Sequence, residues 1–321
     1  MAVRLLGSPP ALPLVLLRGA LASRSRRGPY EGARLPGVRL VLPEADVDAK
    51  RMRAYARVCG FTDPGDGGPV PPGYPHVLGF PLAMELMASP GFPFPVPGLI
   101  HTGIELTQHR ALRPGDRPEI SVHTNALAPH RRGSSFDMVT EARLGGRLVW
   151  HSRSTYLYKH RTADGERGGE AAGPSEAGPA AAPPEAVPPL PVRDHWKLPS
   201  GLGRRYARAS GDRNPIHLHP LTAKLFGFPR HIAHGMWTFA RSLAATGAAD
   251  GGEQLTARAE FRSPVPLPST VAYCMDEPTA PAAGYRAPVR VHRFELRGGT
   301  EGEGERERRL HLTGEVTSER P

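Results

Sequence analysis

The sequence predicts an α+β chain in which a helix-wrapped antiparallel sheet is followed by a second copy of the same unit. Three observations predict it. A pattern repeats at an offset of 151 residues: Tyr55-Ala56-Arg57-x-x-Gly60-x-x-x-Pro64 returns as Tyr206-Ala207-Arg208-x-x-Gly211-x-x-x-Pro215. In each half a helical pattern precedes a run of segments that alternate apolar and polar residues, which is the order of an α+β unit. Between the halves lies Ala163 to Pro191, rich in Pro, Ala and Gly. It carries too few large apolar side chains to offset its ordering entropy, so it reads as a flexible, partly polyproline linker.

Taken in order, residues 1–37 are rich in arginine and nearly free of acid. An apolar stretch from Leu12 to Ala22 resembles a signal peptide, but Arg18 interrupts it, and organellar transit peptides have a similar composition. The preferred reading is a poorly ordered N-terminal arm. Val47 to Cys59 has helical spacing through Met52, Tyr55 and Cys59, and Tyr74 to Ala88 reads as a second, apolar helix that corresponds to Ile232 to Ala245. Thr107 to Asp116 stands where Ala259 to Pro268 stands later, each a strand end running into a turn. Arg117 to Ala126 and Ser134 to Tyr158 alternate as strands, with Gly145-Gly146 as a hairpin turn. Thr256–Phe261, Thr270–Met275, Val289–Leu296 and Arg309–Val316 do the same near the C-terminus, with a loop from Gly298 to Gly304.

The 321 residues suffice for two domains with cores of their own. A mean hydropathy of −0.37, with no apolar run approaching ~20 residues, argues against a membrane span. Cys59 and Cys274 fall at unrelated places, so no disulfide framework is expected and a reducing, cytoplasmic setting fits. The net charge of +10 is spread along the chain without interleaved aromatics, which disfavours a nucleic-acid binder.

The most informative stretch is Tyr206 to Trp237, YARASGDRNPIHLHPLTAKLFGFPRHIAHGMW. Ser210, Gly211, Asp212 and Asn214 favour turns over helix interiors, so a break between two helical pieces is expected. Pro215 fixes φ within it. A carboxylate (Asp212), an amide (Asn214) and an imidazole (His217) thus share one tight turn. Seventeen residues after His217, His234-Gly235-Met236 opens an apolar run through Trp237, Phe239, Leu243 and Ala244 that reads as a buried helix. Backbone N–H groups at such a helix start are unpaired and can hold a developing oxyanion.

Each of these residues also has a plainer reading. Asp212 after a glycine is commonly a turn former or N-cap, His217 alone is more often a packed imidazole, and Gly235 can serve close packing only. The combination and spacing favour the functional reading. His217-x-His219 and His231-x-x-His234 invite a metal, but no third-ligand pattern such as H-E-x-x-H or paired cysteines accompanies them. His231 and His234 are therefore assigned to packing around the helix start. Tyr206 and Arg208 recur as Tyr55 and Arg57 in the other copy, which points to structure, and His76 and His101 also read as structural. The run from His130 to Gly133 reads as a solvated hairpin turn.

SGDRNPIH followed at this separation by IAHGM resembles the signature of MaoC-like dehydratases, the (R)-specific enoyl-thioester hydratases of the hot-dog fold. The resemblance implies a double hot-dog chain that adds water reversibly to trans-2-enoyl thioesters in fatty acid metabolism. It implies that Asp212 and His217 bind and activate the catalytic water, that the amide of Gly235 receives the thioester oxygen, and that Asn214 shapes the turn. Ser210, His234 and Met236 become site-shaping or substrate-binding positions. It implies no cofactor and no metal. The expected partner is an acyl thioester of coenzyme A or acyl carrier protein, whose phosphates a basic chain attracts; a homodimer of double hot-dog chains is compatible with the same reading. Two rivals stay open, a non-catalytic acyl-binding or assembly subunit and a thioesterase on the same fold.

Under the repeat offset Asp212 falls on Phe61, Asn214 on Asp63 and His217 on Asp66, so the first copy has lost the chemistry. The domains expected are an arm (1–37), a degenerate N-terminal hot-dog unit (38–162), the linker (163–191) and a C-terminal unit carrying the site (192–321). The first unit is expected to supply part of the acyl tunnel.

Overall fold

The computed structural model describes residues 1–23, 26, 33–161, 190–249, 254–277, 289–298 and 309–319. The expected linker lies almost wholly outside these residues, as does most of the Gly298–Gly304 loop.

Eleven strands form one sheet. They are β1 (Ala2–Leu5), β2 (Val38–Leu42), β3 (Leu99–Gln108), β4 (Glu119–His130), β5 (Gly133–Leu144), β6 (Arg147–Lys159), β7 (Val192–Leu198), β8 (Leu255–Phe261), β9 (Ser269–Met275), β10 (Val289–Gly298) and β11 (Arg309–Glu319). Their spatial order is β1-β2-β4-β5-β6-β3-β8-β11-β10-β9-β7. Setting β1 aside, the first half reads β2-β4-β5-β6-β3 and the second, from the other edge inward, β7-β9-β10-β11-β8. The repeat seen in the sequence is therefore a repeat of topology. The halves join where β3 pairs antiparallel with β8, and Leu106 there stands opposite Ala257, 151 residues later. A pseudo-twofold axis thus runs through the seam. The expected two sheets are continuous because each half ends in a strand with an unpaired edge, and pairing the two edges satisfies both rows of backbone groups.

Helices α2 (Ala49–Cys59), α3 (Tyr74–Ala88), α4 (Leu202–Ser210) and α6 (Gly235–Ala245) pack on this sheet or on one another, and a short α5 (Pro220–Lys224) lies between the last two. α2 buries Met52, Tyr55, Ala56 and Cys59, one stripe at i, i+3, i+4 and i+7. Asp48 caps it by accepting from Arg51 N at 2.6 Å, and Gly60 ends it at φ 75°. α4 ends in the same way at Gly211, φ 85°. The repeat tyrosines meet across the pseudo-twofold axis, Tyr55 against Tyr206 at 6.0 Å between ring centroids, and the assignment of Tyr206 to structure agrees with this. α3 is buried on nearly all sides against β4 and β5. Trp150 of β6, fully buried, donates from Nε1 to the Pro72 carbonyl at 2.8 Å and so fixes the entry to α3.

The N-terminal segment differs from the loose arm expected. β1 adds to the sheet edge in parallel with β2, and α1 (Leu12–Ser23) packs on α3. Val15 is buried, Gly19 lets the helix approach Ala88, and Arg18 pairs with Glu85 at 2.5 Å. Arg26 donates to the carbonyls of Met87 and Phe94 at 2.8 and 3.0 Å and to that of Ser89. Composition alone missed this, because the order comes from side chains on a distant helix. Among the described residues no helix is long and apolar enough to cross a membrane.

Replacing Trp150 by Ala should lower unfolding free energy by about 3–5 kcal/mol, the usual cost of emptying a large aromatic site, measured by denaturant unfolding. A loss below about 1 kcal/mol would show that α3 is held by something else.

Candidate active site

The site is built on the break after α4. Gly211 takes the left-handed conformation that ends the helix, and Arg51 of α2 donates to the carbonyls of Ala209 and Ser210 at 3.0 and 3.1 Å. Ser210 Oγ donates to the Tyr206 carbonyl (3.0 Å) and accepts from Asp212 N (3.2 Å), so its hydroxyl belongs to the turn. Asp212 Oδ1 accepts from Asn214 N at 3.0 Å, and Asn214 Oδ1 accepts from Ile216 N at 3.3 Å, capping the 3-10 turn Pro215–His217. Two successive side-chain turns thus leave Asp212 Oδ2 directed away from its own backbone.

His217 is buried and hydrogen-bonded through Nδ1 to the Ile232 carbonyl at 2.9 Å. A carbonyl can only accept, so Nδ1 carries the proton and Nε2 keeps its lone pair. Burial lowers its pKa, partly opposed by the Asp212 carboxylate and then by the Ile232 hydrogen bond. Gly203 of α4 lies against the carbonyl of His217, where any Cβ would collide with the oxygen. Nothing in the sequence pattern singled out that glycine, because the contact joins residues on separate elements.

His234 stacks on His217 with ring centroids 3.7 Å apart and packs against Tyr206 at 4.7 Å. Its Nε2 donates to the Asp212 backbone carbonyl at 3.1 Å, and Nδ1 is buried without a partner. Burial, followed by the neighbouring His217, holds its pKa well below the ordinary imidazole value. The ring is therefore neutral, and the 3.8 Å approach of Nε2 to Asp212 Oδ2 is not an ion pair.

Asp212, His217 and His234 each place one potential ligand atom within 4.8 Å of the others. As a metal cradle the set is poor. The two imidazoles are stacked, so their in-plane lone pairs run side by side instead of converging, and the Nε2 of His234 is already committed. The other histidines of the suspected metal spacings go elsewhere: His219 caps α5 by accepting from Leu221 N (3.2 Å), and His231 bonds the Ser200 carbonyl (2.8 Å).

Gly235 is the first residue of α6. The bonds of that turn begin with Trp237 N and Thr238 N to the His234 carbonyl, so the N–H groups of Gly235 and Met236 precede the first bonded donor. Gly235 keeps accessible surface, and a Cβ on it would stand 3.2 Å from the Phe261 ring. Met236 is buried in the core. The first half contributes a residue that the motif could not announce. Tyr156 of β6 has its phenol pKa raised by burial and then by the charge of Asp212. Asp212, Gly235, Phe261 and Tyr156 all retain partial exposure.

Comparison with known proteins agrees with this architecture. The family described as a MaoC-like domain matches residues 177–278. The 3-hydroxyacyl-thioester dehydratase X of Mycobacterium tuberculosis is 36% identical over 243 residues, 76% of this chain and 81% of the relative. A segment of 57 residues, 16% of this chain and 2% of the relative, is 42% identical to fatty acid synthase 2 of Mycosarcoma maydis. Among solved structures, HtdX of Mycobacterium tuberculosis superposes with a TM-score of 0.67 at 30% identity, over 87% of this chain and 98% of that one. A MaoC-like dehydratase from Phytophthora capsici shares the fold, with a TM-score of 0.64 at 18% identity over 88% and 96% of the two chains. With a relative of this identity matched along most of its length, and with the fold and the motif in agreement, the chain belongs to the MaoC-like dehydratases and has their double hot-dog fold.

Proposed function

We propose that the chain catalyses the reversible addition of water to a trans-2-enoyl thioester, giving the (R)-3-hydroxyacyl thioester. The observation that carries this reading is the convergence of the Asp212 carboxylate and the His217 imidazole beside the opening of α6. The dehydratase name of the Mycobacterium tuberculosis relative supports the substrate class, an acyl thioester. Coenzyme A and acyl carrier protein are both candidate carriers.

In hydration, a water held between Asp212 Oδ2 and His217 Nε2 gives its hydrogens to two acceptors and turns an oxygen lone pair toward C3 of the substrate. The C3–O bond forms as one water proton passes to the Asp212/His217 pair. Electron density moves from the C2–C3 double bond onto the thioester oxygen, where the N–H of Gly235 stabilises it. The pair then returns its proton to C2 on the same face, and the thioester carbonyl re-forms. Dehydration is the same path reversed. The thioester already acidifies the C2 proton, so the step calls on no further group. Asn214 and Ser210 hold the turn, and His234 fixes the Asp212 backbone and the plane of His217. The first unit (38–162) serves as the non-catalytic copy that completes the crevice, and the second (192–321) carries the reacting groups.

Asp212→Asn should lower crotonyl-CoA hydration by about 10²–10⁴, the usual worth of a positioned acid or base, followed by loss of enoyl absorbance. Its circular dichroism spectrum should match that of the parent, since the amide oxygen can still accept from Asn214 N. Near-normal turnover, or release of free thiol in place of hydration, would contradict the assignment.

A pH series tests the same reading. His217 is needed neutral and its pKa is lowered in the folded chain, so kcat/KM should stay level down to the ordinary imidazole range near ~6.5 and fall only on its acid side. Stability follows in the same sense. Below ~6.5 the unfolded chain takes up protons that buried His217 and His234 resist, so it is favoured as pH falls toward their folded pKa values. Melting temperature should therefore drop between about pH 6.5 and 5, and less so in His234→Phe. An acid limb of kcat/KM centred above pH 7 would refute the neutral-imidazole role.

A further inference from the structure

A cavity of about 410 Å³ opens where the end of α2, the strand β7, the start of α4 and the middle of α6 meet, so both copies supply its walls. Asp212, His217 and Gly235 are not among its lining residues. Its volume falls in the ~300–1,000 Å³ range of small-molecule sites. Leu198, Leu202, Trp196 and Trp237 give it a buried, apolar floor. Around that floor stand four cations, Arg57, Lys197, Arg205 and Arg241, and among the described residues no carboxylate lines it. Arg241 is held in place: its guanidinium lies 4.4 Å over the Trp196 ring, and a Cβ on Gly60 would stand 2.7 Å from its Nη1. Tyr273 stacks on the same indole at 4.8 Å. Burial lowers the Arg241 pKa and the charge of Asp194 opposes that, but the Asp194 oxygens accept from Trp196 Nε1 (2.8 Å) and His195 N (2.7 Å).

The pseudo-equivalent corner, beside Gly211, is filled. Leu12 and Arg51 stand 3.0 and 3.2 Å from where a Cβ on Gly211 would lie, and Arg51 is bonded to the carbonyls of Ala209 and Ser210. The four cations of the open corner have no such bonds: among the described residues no acceptor or carboxylate lies within bonding distance of their charged groups. Like charges gathered over an apolar floor repel one another and focus their field into the cleft, and an anion bound there offsets both. We propose that this cavity is a binding site for a ligand carrying two or more phosphate charges, gripped by Arg57, Arg205, Arg241 and Lys197. A lone carboxylate would answer one of the four charges, whereas guanidinium forks match the paired oxygens of phosphate. Two sources supply that chemistry. Arg241 follows Gly235 by six residues on α6, ~9 Å along the axis, so the diphosphate of a coenzyme A thioester is one source. A separate phosphorylated ligand that binds without the thioester is the other. The site stands independently of the hydratase reading.

The test titrates the full chain by calorimetry with pyrophosphate, adenosine 3′,5′-bisphosphate, coenzyme A and phosphate-free pantetheine. Arg57→Gln/Arg205→Gln removes two exposed cations of the cavity, and Arg241→Gln removes the stacked one. Arg147→Gln/Lys159→Gln, at the two ends of β6, lowers the net charge as much as the first pair without touching the cavity. The phosphate-bearing probes should bind the parent with a Kd at least about tenfold lower than either cavity variant, the worth of one charge-assisted hydrogen bond. The β6 pair should stay within about twofold of the parent, and pantetheine should not distinguish the variants. A carrier source shows as a raised KM for crotonyl-CoA in the cavity variants at unchanged kcat, with crotonyl-pantetheine unaffected. A free ligand shows as the bisphosphate losing affinity while the KM for crotonyl-CoA stays level. The proposal is overturned if no phosphate-bearing probe binds the parent, if the cavity variants bind as tightly, or if the β6 pair loses as much. Circular dichroism checks each variant, and should Arg241→Gln unfold, the exposed pair decides. If no enoyl thioester is hydrated, the hydratase reading fails by itself, while the titrations still decide whether the cavity holds phosphate.

Discussion

The hydrogen bond from His217 Nδ1 to the Ile232 carbonyl is the contact on which the geometry of the candidate site depends. It fixes which nitrogen holds the proton, leaves Nε2 with its lone pair, and ties the turn after α4 to the segment that leads into α6. Every neighbouring feature serves that geometry. Gly203 is bare where the His217 carbonyl passes, and His234 lies flat on the imidazole while bonding the Asp212 backbone. Burial then disfavours the charged form of both rings, which suits a proton acceptor.

The duplicated plan explains how two unequal copies can form one site. Pairing β3 with β8 places the halves about a pseudo-twofold axis, and the tyrosines Tyr55 and Tyr206 meet across it. Each half then reaches into the other. Arg51 binds carbonyls at the end of α4, and Trp237 of α6 donates to the Val58 carbonyl at 2.8 Å. The first copy has Phe61, Asp63 and Asp66 in place of the Asp-Asn-His set, and its Tyr156, His101 and His76 form a row of stacked rings.

The histidines also divide by environment. His219 and His231 bond backbone groups and hold loops, His217 and His234 share one stack, and His76 and His101 lie parallel in another. The same residue type thus does three kinds of work, and only the surroundings distinguish them.

Much was determined by the sequence itself. The 151-residue repeat, the α2 stripe, the apolar α3, the Gly145-Gly146 hairpin and most strands follow from local pattern, because periodicity and turn chemistry act over a few residues. The Asp212–His217 turn was legible for the same reason, since its bonds run between neighbours. Only the tertiary structure decided the fusion of two sheets at β3 and β8, the docking of β1 and α1, and the entry of Tyr156 and Gly203 into the site. Those features join residues from tens to about 150 positions apart, and they depend on an unpaired edge, a neighbour's missing side chain or a shared cavity, none of which leaves a mark on adjacent letters of the chain.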